Sequence, residues 1–316
     1  MSKIRFDEIV AKKITALNYA GLPSDTDLGG SSITPGAKGI GETYYVDPRN
    51  GNDEFTGFSA AEAKATSQAA IDLCVDRQMD RIIRMSGTET LATAILFNKS
   101  GVIYEAEDSG YARFPGGERF VAYGAHTDGP AAIITQPTRL VGVGFCGSQT
   151  AGASVEIDCE DAGGFPGAWN ELINVRFTHW GIAKAYALLC KGGAETQVMN
   201  CQFDGLWTGY SQAAIGLEDS AAQGCWNYVF GGNRFYFIGA GKYCIQLASG
   251  CHFRQGLVQG NVNIGSAKFF NAASQLGDSV FMQNFTGGAT DLGSYNEAVT
   301  DLQGDGFKFA GNFYSE

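Results

Sequence analysis

From Arg81 onward the chain alternates short apolar runs with glycine-containing turns. The apolar runs are rich in β-branched and aromatic residues and include RIIRM, AILF, GVIYEAE, AAIIT, RLVGVGF and SVEIDC. Runs of this kind, bounded by turn residues, are typical of β-strands. Before them, residues 59–75 are Ala-rich and predict one helix, capped by Ser59 with Glu62 three residues later. One early helix followed by many strands does not fit an alternating α/β fold.

The C-terminal half of the chain contains a repeat. Strand-like runs that contain an asparagine recur at spacings of 26, 33, 28, 23 and 28 residues, and these asparagines are Asn174, Asn200, Asn233, Asn261, Asn284 and Asn312. A second set of apolar runs lies between them, at residues 187–189, 215–217, 245–247 and 269–272. In this second set, Leu189, Leu217 and Leu247 follow one another at steps of 28 and 30 residues. The two phases agree on a period near 28.

A period of this length indicates a stacked architecture. Each repeat has room for a coil of three short strands and three turns, whereas the leucine-rich framework is absent and a propeller blade needs about 40–50 residues. The sequence therefore predicts an all-β chain folded as a parallel β-helix. We expect each recurrent asparagine to adopt the left-handed backbone conformation at a bend and to hydrogen-bond the asparagines of the coils above and below.

Composition and charge narrow the class of protein further. Glycine accounts for 44 of the 316 residues while proline accounts for only 7, which fits frequent coil bends and does not fit a collagen-like tract. The net charge of −11 disfavours nucleic acid and anionic membranes as partners. We see no apolar run near the roughly 20 residues that span a bilayer, and no signal-peptide core in the first 22 residues, so we expect synthesis and assembly in a cytoplasm.

Eight cysteines are present, without any CxxC or CxxH pair. We predict that they are buried free thiols, with disulfides as the alternative. A zinc site needs a convergent set of Cys and His, and the chain has only three histidines. We find no Walker loop, GxSxG or HExxH motif either, so the sequence predicts no cofactor and no metal.

The ends of the chain differ from its middle. Residues 1–22 carry apolar side chains that fit a helical period only roughly, and residues 23–41 are rich in Pro, Gly and Ser without apolar periodicity. The predicted organisation is a short attachment arm (1–22), a linker (23–41) and a β-helix body (42–316). The apolar residues of the arm are Ile4, Phe6, Ile9, Val10, Ile14 and Leu17. The alternative is that residues 1–22 are a frayed terminus.

The start of the body carries a family resemblance. Residues 44–53 (YYVDPRNGND), followed by residues 66–72 (TSQAAID), resemble the opening of right-handed parallel β-helix proteins of the pectate-lyase-like superfamily, which includes bacteriophage tailspikes. In that superfamily an extended strand and a turn precede a helix that caps the end of the β-helix. The resemblance covers about residues 43–316 and specifies the fold better than the function. Together with the arm and linker, it implies a homotrimer attached to a virus particle through residues 1–22.

Trimerisation also has a physical argument. A short β-helix leaves open coil ends and apolar flanks, and the chain contains 38 Phe, Tyr and Trp residues (21 + 13 + 4). Packing of parallel copies would bury that surface and its edge strands.

Two sets of residues are candidates for contact with glycans. Trp180, Trp207 and His179 follow equivalent asparagines and would place aromatic platforms beside a carboxylate, which suits sugar binding. The alternative is that these tryptophans fill a trimer interface. Glycoside hydrolysis needs two carboxylates around the scissile bond, and the candidates are Asp158, Asp204, Glu218 and Asp219. Solvated surface acids explain these four residues equally well.

Three functional hypotheses follow. The first is a virion appendage, similar to a tailspike or tail fibre, that contacts host-surface polysaccharide and has no catalytic activity. The second is a spike that also cleaves polysaccharide, as a hydrolase or a lyase, and a purely structural capsid spike is a variant of the first. The third is a cellular carbohydrate-active enzyme. The attachment-like arm and the absence of a signal sequence favour the virion hypotheses.

Overall fold

A computed structural model gives the structure of much of the chain. It describes residues 41–107, 120–122, 129–147, 152–158, 169–179, 185–193, 195–205, 210–218, 225–240, 242–248, 251–264, 267–272, 276–277, 279–287, 308–310 and 313–315. The β-structure belongs to a unit that spans Glu42–Glu316. Residues 1–40, which include the predicted attachment arm and nearly all of the predicted linker, lie outside the described residues.

The β-strands form four sheets in which neighbouring strands are parallel, and successive strands of a sheet come from successive coils of the chain. The fold is a parallel β-helix, as the 28-residue period predicts. Side chains of short strands that are stacked in register alternate between the interior of the coil and its outer face. A described helix long and apolar enough to cross a membrane is not found.

Sheets A and B follow one another within each coil. Sheet A contains β1 (Thr43–Val46), β2 (Arg81–Arg84), β5 (Val102–Ala106), β8 (Thr138–Val141), β11 (Glu171–Ile173), β14 (Gln197–Met199), β18 (Val229–Gly231), β22 (Leu257–Gln259), β26 (Val280–Met282) and β28 (Lys308–Ala310). Sheet B contains β3 (Glu89–Thr90), β6 (Phe120–Ala122), β9 (Gly144–Gly147), β12 (Arg176–His179), β15 (Gln202–Asp204), β19 (Arg234–Tyr236), β23 (Val262–Ile264), β27 (Phe285–Gly287) and β29 (Phe313–Ser315).

Sheets C and D complete the coil. Sheet C contains β4 (Ile95–Phe97), β7 (Ala132–Ile134), β10 (Ala153–Asp158), β13 (Tyr186–Lys191), β16 (Ala213–Glu218), β20 (Tyr243–Leu247) and β24 (Lys268–Ala272). Sheet D is short and contains β17 (Cys225–Trp226), β21 (Phe253–Arg254) and β25 (Leu276–Gly277).

The predicted helix of residues 59–75 is divided into two. A 3-10 helix spans Ala60–Glu62 and has Ser59 as its N-cap, and an α-helix, α1, spans Ser67–Leu73. Between them the backbone is extended, because Lys64 exchanges backbone hydrogen bonds with the first strand of sheet A: its N–H donates to the Tyr45 carbonyl, and its carbonyl accepts from Asp47. Pairing with a strand thus outweighs the helix propensity of the alanines.

Helix α1 closes the N-terminal end of the interior. Thr66 caps it by accepting a hydrogen bond from the Ala69 N–H, and Ala70 and Ile71 are fully buried in the main core. The prediction of a capping helix is confirmed in position, with a start eight residues later than predicted.

Aromatic side chains stack along the interior. In sheet B, one phenylalanine per coil lies above the next, with ring-centroid distances of 6.5, 4.8 and 5.0 Å along the series Phe145, Phe177, Phe203 and Phe235. The four side chains are fully buried. Because each ring packs against the ring of the adjacent coil, the coils are held in register by side chains as well as by backbone hydrogen bonds.

The asparagines do form a ladder between coils. Asn233 Nδ2 donates to Asn261 Oδ1 at 3.0 Å, and Asn261 Nδ2 donates to Asn284 Oδ1 at 2.9 Å. Each Oδ1 also accepts a backbone N–H from the preceding coil, and in this way Asn233 accepts from Cys201. All three asparagines are completely buried.

The two roles predicted for a single asparagine fall on adjacent positions. Left-handed backbone occurs at Asn174 and Asn200, with φ of 56° and 55°, and continues at Gly232, Gly260 and Gln283. Sheet A pairs Met199 with Gly231, so the structural equivalent of Asn200 is Gly232 and not Asn233. The equivalence assumed from the sequence is therefore wrong by one residue after Asn200, because one coil is a residue shorter than the asparagine spacing.

Coil length varies although the sheets remain in register. Between sheets C and A, residues 159–170 separate β10 from β11, whereas only residues 192–196 separate β13 from β14. The additional residues therefore lie between strands, and the strands themselves keep their positions in the stack.

The described cysteines are free and buried. They are Cys74, Cys146, Cys190, Cys201, Cys225, Cys244 and Cys251, and Cys159 lies outside the described residues. Burial raises the pKa of both Cys74 and Cys201 to about 12.

We expect these thiols to be unreactive in the native protein, because a buried thiol with a raised pKa supplies little thiolate at pH 8. Titration with a chromogenic disulfide reagent should label at most one thiol rapidly in native protein and eight in denaturant. Rapid labelling of three or more thiols without loss of secondary structure would contradict the structure.

Candidate active site on the outer face of sheet C

The outer face of sheet C gathers charged side chains at the carboxyl ends of three adjacent strands. Their inward residues, such as Val155, Leu188 and Ile215, belong to the main core. The register pairs Asp158 with Lys191, and Lys191 with Glu218, so these last residues of β10, β13 and β16 form one row across the sheet. We call Asp158, Lys191, Glu218 and the adjoining Glu156 the charged row.

Lys191 lies at the centre of the charged row. Its Nζ is 3.1 Å from Glu156 Oε2 and 3.5 Å from Asp158 Oδ2. The side chains of Lys191, Glu156 and Asp158 are 27%, 14% and 26% exposed, so the row is partly shielded yet open to solvent. Glu218, in the next coil, has no ion-pair partner within 4 Å among the described residues and is half-buried.

The carboxylates keep Lys191 protonated. Burial by itself lowers the pKa of this ammonium, but the hydrogen bond from Glu156 and the negative charges of Glu156 and Asp158 outweigh it, and the pKa is raised. Lys191 therefore acts as a hydrogen-bond donor at neutral pH and not as a base.

Tyrosines border the charged row on the same outer face. The ring of Tyr186 lies over Gly216 of the next coil, where a Cβ atom would be 2.6 Å from Tyr186 Cε1. The Tyr186 hydroxyl donates to Gln212 Oε1. Tyr186 forms a small apolar cluster with Leu189, separate from the main core, and Tyr243 packs partly buried against it.

The tyrosine and the charged row influence one another. Burial and then the negative charge of Glu218 raise the pKa of Tyr186 to about 12. The phenol therefore stays protonated and can donate a hydrogen bond. The outer face of sheet C thus combines aromatic surface, hydrogen-bond donors and carboxylates within neighbouring coils.

Two of the four predicted catalytic residues, Asp158 and Glu218, come together in the charged row. Asp219 lies outside the described residues, as do Trp180 and Trp207 and the six apolar residues of the attachment arm. The backbone of His179 is the last residue of β12 in sheet B, and its side chain is not among those described.

The remaining candidate, Asp204, has a different environment. Its Oδ2 accepts a hydrogen bond from Arg176 Nη2 at 2.6 Å, and each side chain is only 2% exposed. Both residues alternate with inward phenylalanines and so lie on the outer face of sheet B, where they are covered. Tyr210 is fully buried beside them, and burial together with the charge of Asp204 raises its pKa. A carboxylate enclosed in this way is not placed to reach a polymer that arrives from solvent.

Sequence reasoning missed Lys191, Glu156 and Tyr186. Leu189 was aligned with Leu217, but the register pairs Leu189 with Gly216 and Cys190 with Leu217. This one-residue shift moves Leu189 to the outer face. With the correct register, the alternation in residues 186–191 (YALLCK) and 153–158 (ASVEID) places Lys191 and Asp158 on the same face.

The charged row can act on a bound molecule through hydrogen bonds and proton transfer. Adjacent parallel strands are about 4.8 Å apart, so Asp158 and Glu218, two strands apart, have backbones separated by roughly 10 Å. That spacing leaves room for a sugar unit and a water molecule between two carboxylates, as inverting hydrolysis requires. Within the described residues, we find no group of three or more His, Cys, Asp or Glu side chains that could hold a metal ion.

Comparison with known proteins places the fold. No protein-family model matches the chain, and no curated protein matches it. Among solved structures, the chain is similar to a rhamnogalacturonan lyase, with a TM-score of 0.58 and 17% identity over 79% of this chain and 69% of that one.

Two further solved structures are similar. The GH136 lacto-N-biosidase from Eubacterium ramulus has a TM-score of 0.55 and 13% identity, with 86% of this chain and 56% of that chain covered. The pectate lyase Pel9A has a TM-score of 0.50 and 15% identity, with 87% of this chain and 78% of that chain covered. At these identities the likeness establishes the fold, which is the parallel β-helix of pectate-lyase-like proteins.

Proposed function

We propose that the protein binds a neutral polysaccharide along the outer face of sheet C. The charged row, bordered by Tyr186 and Tyr243, carries this proposal. Sugar hydroxyls can donate to the carboxylates and accept from the Lys191 ammonium, while a tyrosine ring packs against the apolar face of a sugar. The names of the structural neighbours, two lyases of plant-type polysaccharides and a lacto-N-biosidase, agree with a ligand of this class.

Charge favours a neutral polymer over a polyuronate. The row contains three carboxylates for one ammonium, and the whole chain carries −11. A polyanion would meet repulsion both at the row and from the protein as a whole.

In its finer form, the proposal places this glycan contact on a virus particle. The protein is then a trimeric virion appendage of the tailspike or tail-fibre kind, attached through residues 1–22, with the polysaccharide on the host surface. The parallel β-helix and the resemblance of residues 44–53 and 66–72 support this form. Light scattering during size-exclusion chromatography, on the full chain and on a version lacking residues 1–41, should give a trimer in both cases, and a monomer in both would contradict it.

The unpaired carboxylate of Glu218 favours a second candidate, a polysaccharide hydrolase. Glu218 and Asp158 flank the charged Lys191 on one face, and an acid and a base on opposite sides of a glycosidic bond suffice for inverting hydrolysis. Release of reducing ends from a neutral polymer, abolished in Glu218→Gln while binding persists, would establish the hydrolase.

Affinity electrophoresis tests glycan binding directly. Gels that contain dextran, hydroxyethylcellulose or galactomannan should retard the protein, whereas gels with polygalacturonate should not. We expect Lys191→Met to weaken retention about tenfold or more, because it removes a charged donor and leaves Glu156 and Asp158 uncompensated.

Arg139→Met is the matched control. Arg139 pairs with Glu171 at 3.2 Å on the outer face of sheet A, so its loss changes the net charge equally but leaves sheet C intact. Equal retention of wild type and Lys191→Met, or stronger retention in polygalacturonate than in the neutral gels, would overturn the proposal.

A further inference from the structure

One corner of the β-helix carries a row of residues in the left-handed conformation. Pairing in sheet A makes Trp169, Glu195, Asn227 and Gln255 structurally equivalent, each two residues before a strand of that sheet. Their φ angles are 63°, 55°, 54° and 54°. Glycine is the usual residue in this conformation, so a tryptophan there is unusual.

Trp169 gains no packing from its position. Its side chain is 63% exposed, although the left-handed backbone of a non-glycine residue costs roughly 1 kcal/mol. Strained backbone that presents an exposed, bulky side chain is characteristic of functional surfaces.

A second exposed tryptophan lies two coils further along the same corner. Trp226 immediately precedes Asn227 and is 46% exposed. The guanidinium carbon of Arg254, the residue paired with Trp226 in sheet D, is 5.9 Å from the centre of its ring and orients it. At about 4.8 Å per coil, the backbones of the two tryptophans are roughly 10 Å apart along the stack.

This corner adjoins the charged row. Lys191 and Glu195 are separated by four positions, which span at most about 14 Å. Backbone hydrogen bonds tie this segment to the next coil, from the Gly192 N–H to the Glu218 carbonyl at 2.7 Å and from the Trp226 N–H to the Gly193 carbonyl at 3.1 Å. The charged row and the two tryptophans therefore lie on either side of one tight connection.

We propose that Trp169 and Trp226 form an aromatic subsite that binds sugar units of the polysaccharide held at the charged row. The inference rests on the proposed function and extends it to longer chains. Each indole packs against the apolar face of a sugar ring, while Glu195, Arg254 and Gln255 exchange hydrogen bonds with its hydroxyls. A chain that crosses the Gly192–Gly193 connection contacts both surfaces.

The exposed area distinguishes a sugar chain from a second protein. Together the two partly exposed indoles offer on the order of 200–300 Å² of aromatic surface. A stable protein interface needs about 800 Å² on each partner and a core depleted in charge, whereas here charged and amide side chains stand between and beside the tryptophans.

Affinity electrophoresis in hydroxyethylcellulose, dextran and galactomannan gels tests the subsite. Trp169→Ala and Trp226→Ala should each weaken retention about threefold to tenfold, whereas Phe237→Ala should not. Phe237 is the matched control because it is also an aromatic residue with left-handed φ (53°), is 52% exposed and lies at the end of sheet B.

A short oligosaccharide separates this inference from the proposed function. For hydroxyethylcellulose, cellotriose should bind wild type and Trp169→Ala alike, since it fills only the charged row. Far-ultraviolet circular dichroism verifies that each variant is folded, and Trp226→Phe keeps an aromatic ring and should retain most of the affinity.

Each outcome has one meaning. If wild type is retarded and both tryptophan variants behave like Phe237→Ala, the subsite is wrong and the proposed function stands. If none of the neutral gels retards wild type, the two proposals fall together.

Discussion

Replacing Asp204 by alanine is expected to lower the free energy of unfolding by about 3–5 kcal/mol, because it leaves the Arg176 guanidinium buried without its carboxylate. The two side chains are each 2% exposed and 2.6 Å apart. Urea unfolding followed by circular dichroism measures the change, as a shift of the transition midpoint.

Two further variants make the Asp204 prediction specific. Arg139→Ala removes an exposed ion pair, with side chains 50% and 37% exposed, and should change stability by less than about 1 kcal/mol. The double replacement Arg176→Met with Asp204→Leu removes both buried charges and should recover much of the lost stability. If Asp204→Ala unfolds at the same urea concentration as wild type, Asp204 is not enclosed as described.

The second large effect is expected at Asn261, the middle of the asparagine ladder. Asn261→Ala removes the acceptor of the Asn233 N–H at 2.9 Å and the donor to the Phe230 carbonyl at 2.9 Å, among other bonds. Each buried group left without a partner costs about 1–3 kcal/mol, so the loss should be at least about 2 kcal/mol. The urea midpoint measures it, and a larger effect than that of a typical surface substitution is required.

Asn200 provides the contrast, because its role is conformational. It is exposed and has φ of 55°, so Asn200→Gly should cost less than about 1 kcal/mol. Asn200→Val should cost more, since a β-branched residue does not tolerate this backbone. Similar losses for Asn261→Ala and Asn200→Gly would mean that the two asparagines do the same job, contrary to the structure.

These two asparagines also show how far the sequence could lead. The period near 28 residues and the short apolar runs were enough to predict the parallel β-helix, because stacking of identical strands imposes a repeat that survives variation in loop length. The repeat could not distinguish a residue that bends the backbone from its neighbour that bonds between coils. Asparagine suits both roles, and only the hydrogen-bond partners separate Asn200 from Asn233.

The candidate site was predicted in part for the same reason. Asp158 and Glu218 were identified as carboxylates at strand ends, which composition and strand position suffice to find. Lys191 was not, because its place beside them depends on a register that is one residue different from the alignment of Leu189 with Leu217. Likewise, the burial of Asp204 depends on a partner from another coil, Arg176, which no local pattern announces.

The unequal connections between strands have a consequence for how such a protein can change. Residues 159–170 and residues 192–196 join equivalent strands of the same two sheets, yet the stack is undisturbed. Since a longer flexible loop costs only slightly more closure entropy, insertions at these corners are thermodynamically inexpensive. Substitutions inside a coil, by contrast, propagate to the coils on both sides. A lineage of such chains can therefore diversify its rim by gaining and losing segments while the stacked frame beneath is inherited almost unchanged.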